Sequence, residues 1–490
     1  MKRSVAGILL LIVFLITFLS RAGISMQTDI FSYEAYFELR QIENINENGS
    51  PLFEDPLSYG GRSHLFPPIF YYLIALFGFL GTSLAAKLIP NLLSSFIIVT
   101  VYLMSFHITK NRLISIITAF FSGFIPIFFV TVNDISVYSL VILLMVSITY
   151  FMMKINNRFH LNMAILFMIV LILSHSSAFL LILGLLLYLL LLRVESLEVN
   201  KRELELILFA SFFVIWFNFL LYKNAFLVHG PLIFWQNIPL QILTNFFFEL
   251  NLIQVIYYIG IIPVVLGIYA IYYVLFKEKK RSVFLLVSMA LIVLLLLWLK
   301  TIPFEVGLIF LSIVLTVLSG YSMKLIYSYF KKTKFSRSGK WVLLGIFILF
   351  CLSSVIPSVN LALNSVESVP SDYELEALDW LLNNTDNSSI ILARVEEGYM
   401  INHFAKRKTV IDEDFLLITD AQQRYEDVQS VFSLHLKTEA LRRLMKYDVD
   451  YIYFSGKFGD EEKLHYVDED CFDMVFNKSV KIYKVGCTIQ

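Results

Sequence analysis

Residues 66–81 read Phe-Pro-Pro-Ile-Phe-Tyr-Tyr-Leu-Ile-Ala-Leu-Phe-Gly-Phe-Leu-Gly, and the layout of the whole chain turns on whether this stretch crosses a bilayer. The composition requires a bilayer. Hydrophobic residues make up 58% of the 490 and charged residues 16%, against roughly 45–50% and 25% in soluble proteins. That much apolar side chain needs hydrocarbon as its solvent. After residue 81 the loops between apolar runs are of two kinds. Basic loops hold Lys110 and Arg112, Lys154 and Arg158, Arg193 to Arg202, Lys277 to Arg281, and Lys331 to Lys340. They alternate with base-poor loops at Asn133–Ser136, Ser174–Ser176, Lys223–Asn251 and Lys300–Gly307. With Lys2 and Arg3 inside, a crossing at 66–81 would put every later basic loop outside. Without it, all of them lie inside, as positive charge in membrane proteins does. Pro67 to Leu80 therefore reads as an interfacial or re-entrant helix on the outer side. Pro67 and Pro68 suit its first turn, and Tyr71 and Tyr72 suit headgroup depth.

The expected spans are 4–20, 86–107, 112–131, 138–154, 161–173, 177–193, 205–222, 252–276, 283–300, 308–329 and 341–359. This is a polytopic α-helical membrane protein of about eleven transmembrane helices, with a cytoplasmic N-terminus and an extracytoplasmic tail. The run 161–173 is short for a bilayer and continues through Ser174-His175-Ser176-Ser177. A break at that depth is tolerated where it lines a cavity or is buried in protein.

Charge marks two surroundings. Residues 360–490 carry a net −10 and residues 1–359 a net +10. The expected domains are thus 1–359 in the membrane, including an outer loop over 21–85, and a soluble α/β domain over 360–490. In the tail, Ser371-Asp-Tyr-Glu374 forms a capping box. Ile390–Ala393, Thr409–Ile411 and Val449–Phe454 read as strands, Ala421–Tyr447 as a helix with room for an interruption, and 474–483 as a hairpin around Asn477-Lys-Ser479. The tail lacks a Gly-rich phosphate loop, and nothing in the chain marks a nucleic-acid partner. Cys471 and Cys487 flank the last strand and pair as a disulfide if the tail sits in an oxidising compartment.

Ionisable groups near span ends are the candidate functional residues. Asp29 lies in Thr28-Asp-Ile-Phe-Ser-Tyr33-Glu34-Ala-Tyr36, Asp134 in Asn133-Asp-Ile-Ser, His175 at the short break, and Glu305 in Thr301-Ile-Pro-Phe-Glu-Val-Gly. All four fall on the outer side of the expected topology. Carboxylates there suit two tasks. One is a base that takes a proton from an acceptor. The other is a divalent-metal site, Mg or Mn on Asp29 and Asp134, that neutralises a leaving phosphate. Arg62 and His64 are candidates for the same phosphate.

On these residues the chain resembles the GT-C glycosyltransferases, polytopic enzymes that use polyprenyl-linked sugars. The group includes the oligosaccharyltransferase catalytic subunit, protein O-mannosyltransferases and lipid A aminoarabinose transferases. Asp29, Tyr33, Glu34 and Tyr36 look like that family's first outer loop, as does Leu57-Ser-Tyr-Gly-Gly-Arg62 followed by Pro67-Pro68. Asn133-Asp134 falls at the second acidic motif, and Glu305 where oligosaccharyltransferases carry a mobile acid. Val395-Glu396-Glu397-Gly398-Tyr399 resembles their W-W-D-Y-G-Y region, with Arg394 and Val395 in place of the tryptophans. The resemblance implies sugar transfer from a polyprenyl-phosphate or pyrophosphate donor to a glycan, lipid or protein acceptor at the outer face. It implies that Asp29, Asp134 and Glu305 are catalytic, and that Tyr33, Glu34, Arg62, His64, His175, Glu396 and Tyr399 bind donor or acceptor. An oligosaccharyltransferase acting on Asn, and a non-catalytic transporter, flippase or glycan-assembly protein, are the alternatives. Membrane lipids are partners in every case.

Overall fold

The computed structural model describes all residues except 1, 64–65, 132–133, 231–250, 334–338, 415–417, 419, 459–462 and 488–490. The chain divides into two compact units. The first holds Met1–Asp29, Pro67–Leu221 and Phe246–Glu367. The second holds Ile30–Phe66, Tyr222–Asn245 and Ser368–Gln490.

The first unit is helical. In chain order the helices begin with α1 (Arg3–Ser25), while α2 (Ala35–Asn48) falls in the second unit. There follow α3 (Ile69–Ala75), α4 (Thr82–Thr109), α5 (Arg112–Gly123), α6 (Pro126–Thr131) and α7 (Tyr138–Met152). Next come α8 (Arg158–Ile172), α9 (Ala178–Val194), α10 (Lys201–His229, which passes into the second unit at Tyr222), α11 (Leu252–Ile259), α12 (Ile261–Phe276) and α13 (Arg281–Trp298). α14 (Phe304–Lys332), α15 (Gly339–Phe350) and α16 (Ile356–Glu367) complete the unit. Among the described residues six helical stretches are long and apolar enough to cross a bilayer, or up to seven if the bent pair α11–α12 is one span. Four more, α5, α7, α8 and α9, are apolar but shorter. α3 has seven residues and rises about 10 Å, far short of the hydrocarbon thickness.

Several boundaries differ from expectation, each for a local reason. α1 runs on to Ser25, because Arg21 is buried inside it rather than solvated at a loop. The 112–131 run splits into α5 and α6, with Pro126 as the first residue of α6, where its missing N–H costs nothing. The 252–276 run bends by 96° between α11 and α12. Gly260 makes that corner at φ +95°, and Ser354 Oγ packs where a Cβ would stand. Ser354 belongs to a π-turn, Cys351–Val355, that joins α15 to α16. α14 is the core helix, with 94% of its most apolar window buried, whereas Ile8, Leu11 and Leu19 of α1 are exposed, as suits a lipid-facing helix.

The second unit is built on a five-stranded sheet in the order β4-β3-β5-β7-β6. Its strands are β3 (Ile390–Leu392), β4 (Lys408–Thr409), β5 (Tyr451–Phe454), β6 (Phe472–Asn477) and β7 (Lys481–Val485). β1 (Glu54–Asp55) and β2 (Arg62–Ser63) form a separate pair. β3 runs parallel to β4 and β5, and β7 antiparallel to β5 and β6. The helices are α17 (Asp372–Asn384), α18 (Gly398–Phe404), α19 (Ala421–Ser433) and α20 (Lys437–Lys446). The capping box forms, with the Ser371 N–H donating to Glu374 at 2.7 Å. Leu392, Val428, Phe432, Leu444 and Ile452 are among the buried core. Cys471 and Cys487 are disulfide-bonded.

Residues 30–66 cluster with the tail in the second unit. Ser58 bridges to Thr409 in parallel, and the Tyr33 hydroxyl donates to Glu374 at 2.6 Å. Arg62 bonds Asp412 at 2.5 Å and Asp55 at 3.2 Å, and Asp55 also pairs with Arg40 at 2.8 Å. The side chains of Arg62 and Asp412 are 1% and 0% exposed, so removing either leaves a buried charge uncompensated. Arg62→Leu is expected to lower the stability of this unit by about 3–5 kcal/mol, read as a drop in its denaturation midpoint. A change under about 1 kcal/mol would mean the pair is solvated.

Candidate functional site

Two acids of the first unit share one cation. Lys87, in the second turn of α4, is buried. Its ammonium donates to the Ser25 carbonyl at 3.0 Å and to the Thr28 carbonyl. Asp29 and Asp134 both act electrostatically on that ammonium. The chain leaving α1 thus meets the start of α4 at one charge, on which the segment between α6 and α7 also acts. Asp29 is exposed and Asp134 half-buried; the Asp134 carboxylate accepts from the Ile135 N–H at 2.7 Å.

Arg21 ties α1 to the ends of α5 and α6. It is fully buried. Its guanidinium lies 4.3 Å from the Phe129 ring centroid and 4.8 Å from that of Phe128. It reaches the Gly123, Phe128 and Phe129 carbonyls at 3.4–3.5 Å. Those carbonyls belong to the closing turns of α5 and α6, where helix dipoles favour a cation.

The other candidates sit as follows. The His175 ring packs on Tyr138, the first residue of α7, at 5.2 Å, and its Nδ1 lies 2.7 Å from Ser177 Oγ. His175 thus packs on the residue four positions after Asp134. Glu305 is exposed in the first turn of α14. Among the described residues no hydrogen bond or ion pair ties it to Asp29, Lys87 or Asp134. His64 and Asn133 lie outside the described residues.

In the second unit the predicted binding residues gather around an acidic core. Tyr33 OH bridges Glu374 and Lys457, 2.9 Å from the latter. Arg62, read from the sequence as a phosphate ligand, is instead committed to Asp55 and Asp412 inside the unit. Tyr399 is buried against Phe37 at 5.2 Å, and burial with Asp412 and Asp414 nearby holds its hydroxyl protonated. Gly398 is required at its place, because a Cβ would fall 2.8 Å from the Ile411 carbonyl and 2.7 Å from Asp412 Cβ. Glu34 and Glu396 lie beside Glu413, whose carboxyl is raised by burial and by those neighbours. Glu397 is fully buried, and burial pushes its carboxyl up to about 8 against the bonds it accepts from Ser455 and the Arg394 N–H.

Lys87 and Arg21 were not singled out from the sequence. The available signal was a base close to the expected outer end of an apolar run, a position the positive-inside rule disfavours. Magnesium takes one or two carboxylates and completes its shell with water and substrate phosphate. Among the described residues no three His, Cys, Asp or Glu side chains gather as a ligand set, and Asp29 and Asp134 both act on the Lys87 ammonium.

The fold is shared with an archaeal oligosaccharyltransferase and with ArnT. The chain is similar to the apo crystal structure of the Archaeoglobus fulgidus oligosaccharyltransferase, with a TM-score of 0.72 at 15% identity over 93% of this chain and 70% of that one. The complex of that enzyme with zinc and sulfate gives 0.66 at 15%, over 90% and 67%. ArnT from Cupriavidus metallidurans bound to undecaprenyl phosphate gives 0.55 at 11%, over 98% of both chains. No protein-family model and no curated protein sequence matches the chain.

The raised carboxyl of Glu397 has a defined sign. Its folded value, about 8, lies above the ordinary 4.5. The stability it contributes is fully present below pH 4.5 and is lost as pH rises through 8. The tail's melting midpoint in the full-length protein should fall from pH 5 to pH 9, and Glu397→Gln should shrink that slope. An unchanged slope would mean that Glu397 is ionised in the folded protein.

Proposed function

We propose that this protein is a glycosyltransferase that moves a sugar from a polyprenyl-phosphate- or pyrophosphate-linked donor to an acceptor at the outer face of the cell membrane. The observation that carries the reading is the fold shared with an oligosaccharyltransferase and with ArnT, in a chain whose Asp29 and Asp134 both act on the one buried ammonium of Lys87. ArnT, similar over its full length, was crystallised with undecaprenyl phosphate, which supports a lipid-phosphate donor.

In this reading the exposed Asp29 carboxylate is the base. An acceptor hydroxyl or amine attacks the anomeric carbon, and the bond from that carbon to the phosphate oxygen breaks. The electron pair stays on the departing phosphate, and the acceptor's proton passes to Asp29. Asp134 holds the site's geometry through the shared cation. His175 and Glu305 belong to its periphery. The N-terminus lies in the cytoplasm and the tail outside, where the Cys471–Cys487 bond is stable to the redox surroundings.

A second reading, transfer to protein Asn, is favoured by the higher TM-score with the archaeal oligosaccharyltransferase. Arg394 and Val395, where that family's motif has tryptophans, weigh against its mode of sequon recognition.

The test is transfer of radiolabelled sugar from a membrane lipid extract by purified protein, with lipid and Asn-x-Thr peptide acceptors offered separately. Wild type should move label and Asp29→Asn should lose at least about 100-fold, the usual worth of a general base. Equal transfer by both would remove Asp29 from the mechanism. No transfer by wild type across broad donor pools would favour a transporter or assembly protein.

A further inference from the structure

We propose that the far end of the helical unit, where α4 stops and α13 starts, holds a binding site for a phosphate group, formed by Lys110, Lys154, Lys280 and Lys324 and filled by an anionic lipid headgroup or by free phosphate. The site is separate from Asp29 and its surroundings, and the inference does not depend on the glycosyltransferase reading.

The four lysines come from distant parts of the chain: the C-cap of α4, the turn after α7, the residue before α13 and the body of α14. Packing gathers them near His107, in the last turn of α4 and about 30 Å along that helix from Lys87. Lys110, Lys154 and Lys280 all act electrostatically on the His107 ring, whose Nε2 lies 3.5 Å from the Ser282 hydroxyl. Lys280 and Lys324 stand over one ring, that of Tyr321, at 5.5 and 5.9 Å from its centroid. Two of these cations are tied down rather than spread into water. Lys154 and Lys280 are half-buried. Lys280 Nζ donates to the Ile108 carbonyl at 2.7 Å, and Lys154 Nζ to the Tyr150 hydroxyl at 2.6 Å. Burial, and then Lys324 and Lys110, hold the Lys280 ammonium below the ordinary lysine value. Counter-charge is short. Nearby bases are paired, Lys279 with Glu195 and Arg281 with Glu203, but among the described residues no salt bridge reaches the four lysines. Glu278 acts on Lys280, yet its carboxylate already accepts from the Tyr321 hydroxyl at 2.5 Å. Ammoniums held this close repel one another, and an anion among them removes that cost. Phosphate fits the donors present: lysines bind it as point charges, the Ser282 hydroxyl adds a neutral donor, and the start of α13 adds the positive end of a helix dipole. Leu103 and Leu113, one turn from His107 and Lys110, are exposed and apolar. A basic cluster beside such a surface suits a lipid headgroup.

Native mass spectrometry of the full-length protein tests this, with dioleoyl phosphatidylglycerol, dioleoyl phosphatidylcholine and inorganic phosphate titrated separately. Phosphatidylglycerol should bind wild type saturably and Lys110→Gln/Lys280→Gln roughly ten- to a hundredfold more weakly, the worth of one charge-assisted bond. Lys110→Arg/Lys280→Arg keeps the charge and should bind like wild type. The single change Lys324→Gln disturbs the fold less and should weaken binding by about tenfold. Lys331→Gln/Lys332→Gln removes the same charge from the exposed end of α14 and should leave binding unchanged. Phosphatidylglycerol bound in preference to inorganic phosphate would make the ligand a headgroup, and inorganic phosphate bound as tightly would make it the free ion. The proposal is overturned by the absence of saturable binding of both probes, by phosphatidylcholine binding as tightly as phosphatidylglycerol, by full binding in Lys324→Gln and Lys110→Gln/Lys280→Gln, or by an equal loss in Lys331→Gln/Lys332→Gln.

Discussion

Inside a bilayer a backbone carbonyl that loses its helical partner has no water to turn to. This chain breaks its helices repeatedly near one end of the bundle: α1 stops at Ser25, α5 at Gly123 and α6 at Thr131. Two buried cations answer for the carbonyls left behind. Arg21 takes those of Gly123, Phe128 and Phe129, and Lys87 those of Ser25 and Thr28. The broken ends make a polar site possible at that depth, and the cations make the broken ends affordable. Asp29 and Asp134 follow from the same arrangement, each standing just beyond an end that one of these cations holds.

The second unit meets a different constraint with similar means. Its acids outnumber its bases, and several are buried. Asp55 and Asp412 are stabilised by Arg40 and Arg62. Among the described residues no salt bridge reaches Glu397 or Glu413, and burial raises both carboxyls instead. The stretch Glu396-Glu397-Gly398-Tyr399 is thus largely an interior feature. Gly398 lies against the 411–412 backbone, and Tyr399 lies beneath Phe37.

The sequence carried the architecture because the signals behind it are local and additive. Apolar run length and the sign of loop charge separated helices from loops. Residues 69–75 of the stretch 66–81 form the short helix α3. In the tail, a capping box, alternating strands and an Asn-Lys-Ser turn anticipated α17, β5 and the β6–β7 hairpin within a residue or two. The interruption allowed between Ala421 and Tyr447 appears as the gap between α19 and α20. Breaks inside apolar runs were less legible. Gly260 and Pro126 are visible in the sequence, but a lone Gly or Pro in an apolar run is compatible with a straight span as well as a broken one.

Residue type and position along the chain determined that Asp29 and Asp134 stand near span ends, since the helical rise fixes where each run stops. Partnership between residues far apart in sequence was decided by packing alone. Lys87 looked like one more base in an apolar run, and Arg21 like the first residue of a loop. Arg62 looked free to meet a phosphate until Asp55 and Asp412 closed around it. A charge declares its sign in the sequence, but its counter-charge is chosen only when the chain folds, because electrostatic attraction depends on distance in space and on the solvent removed between the groups.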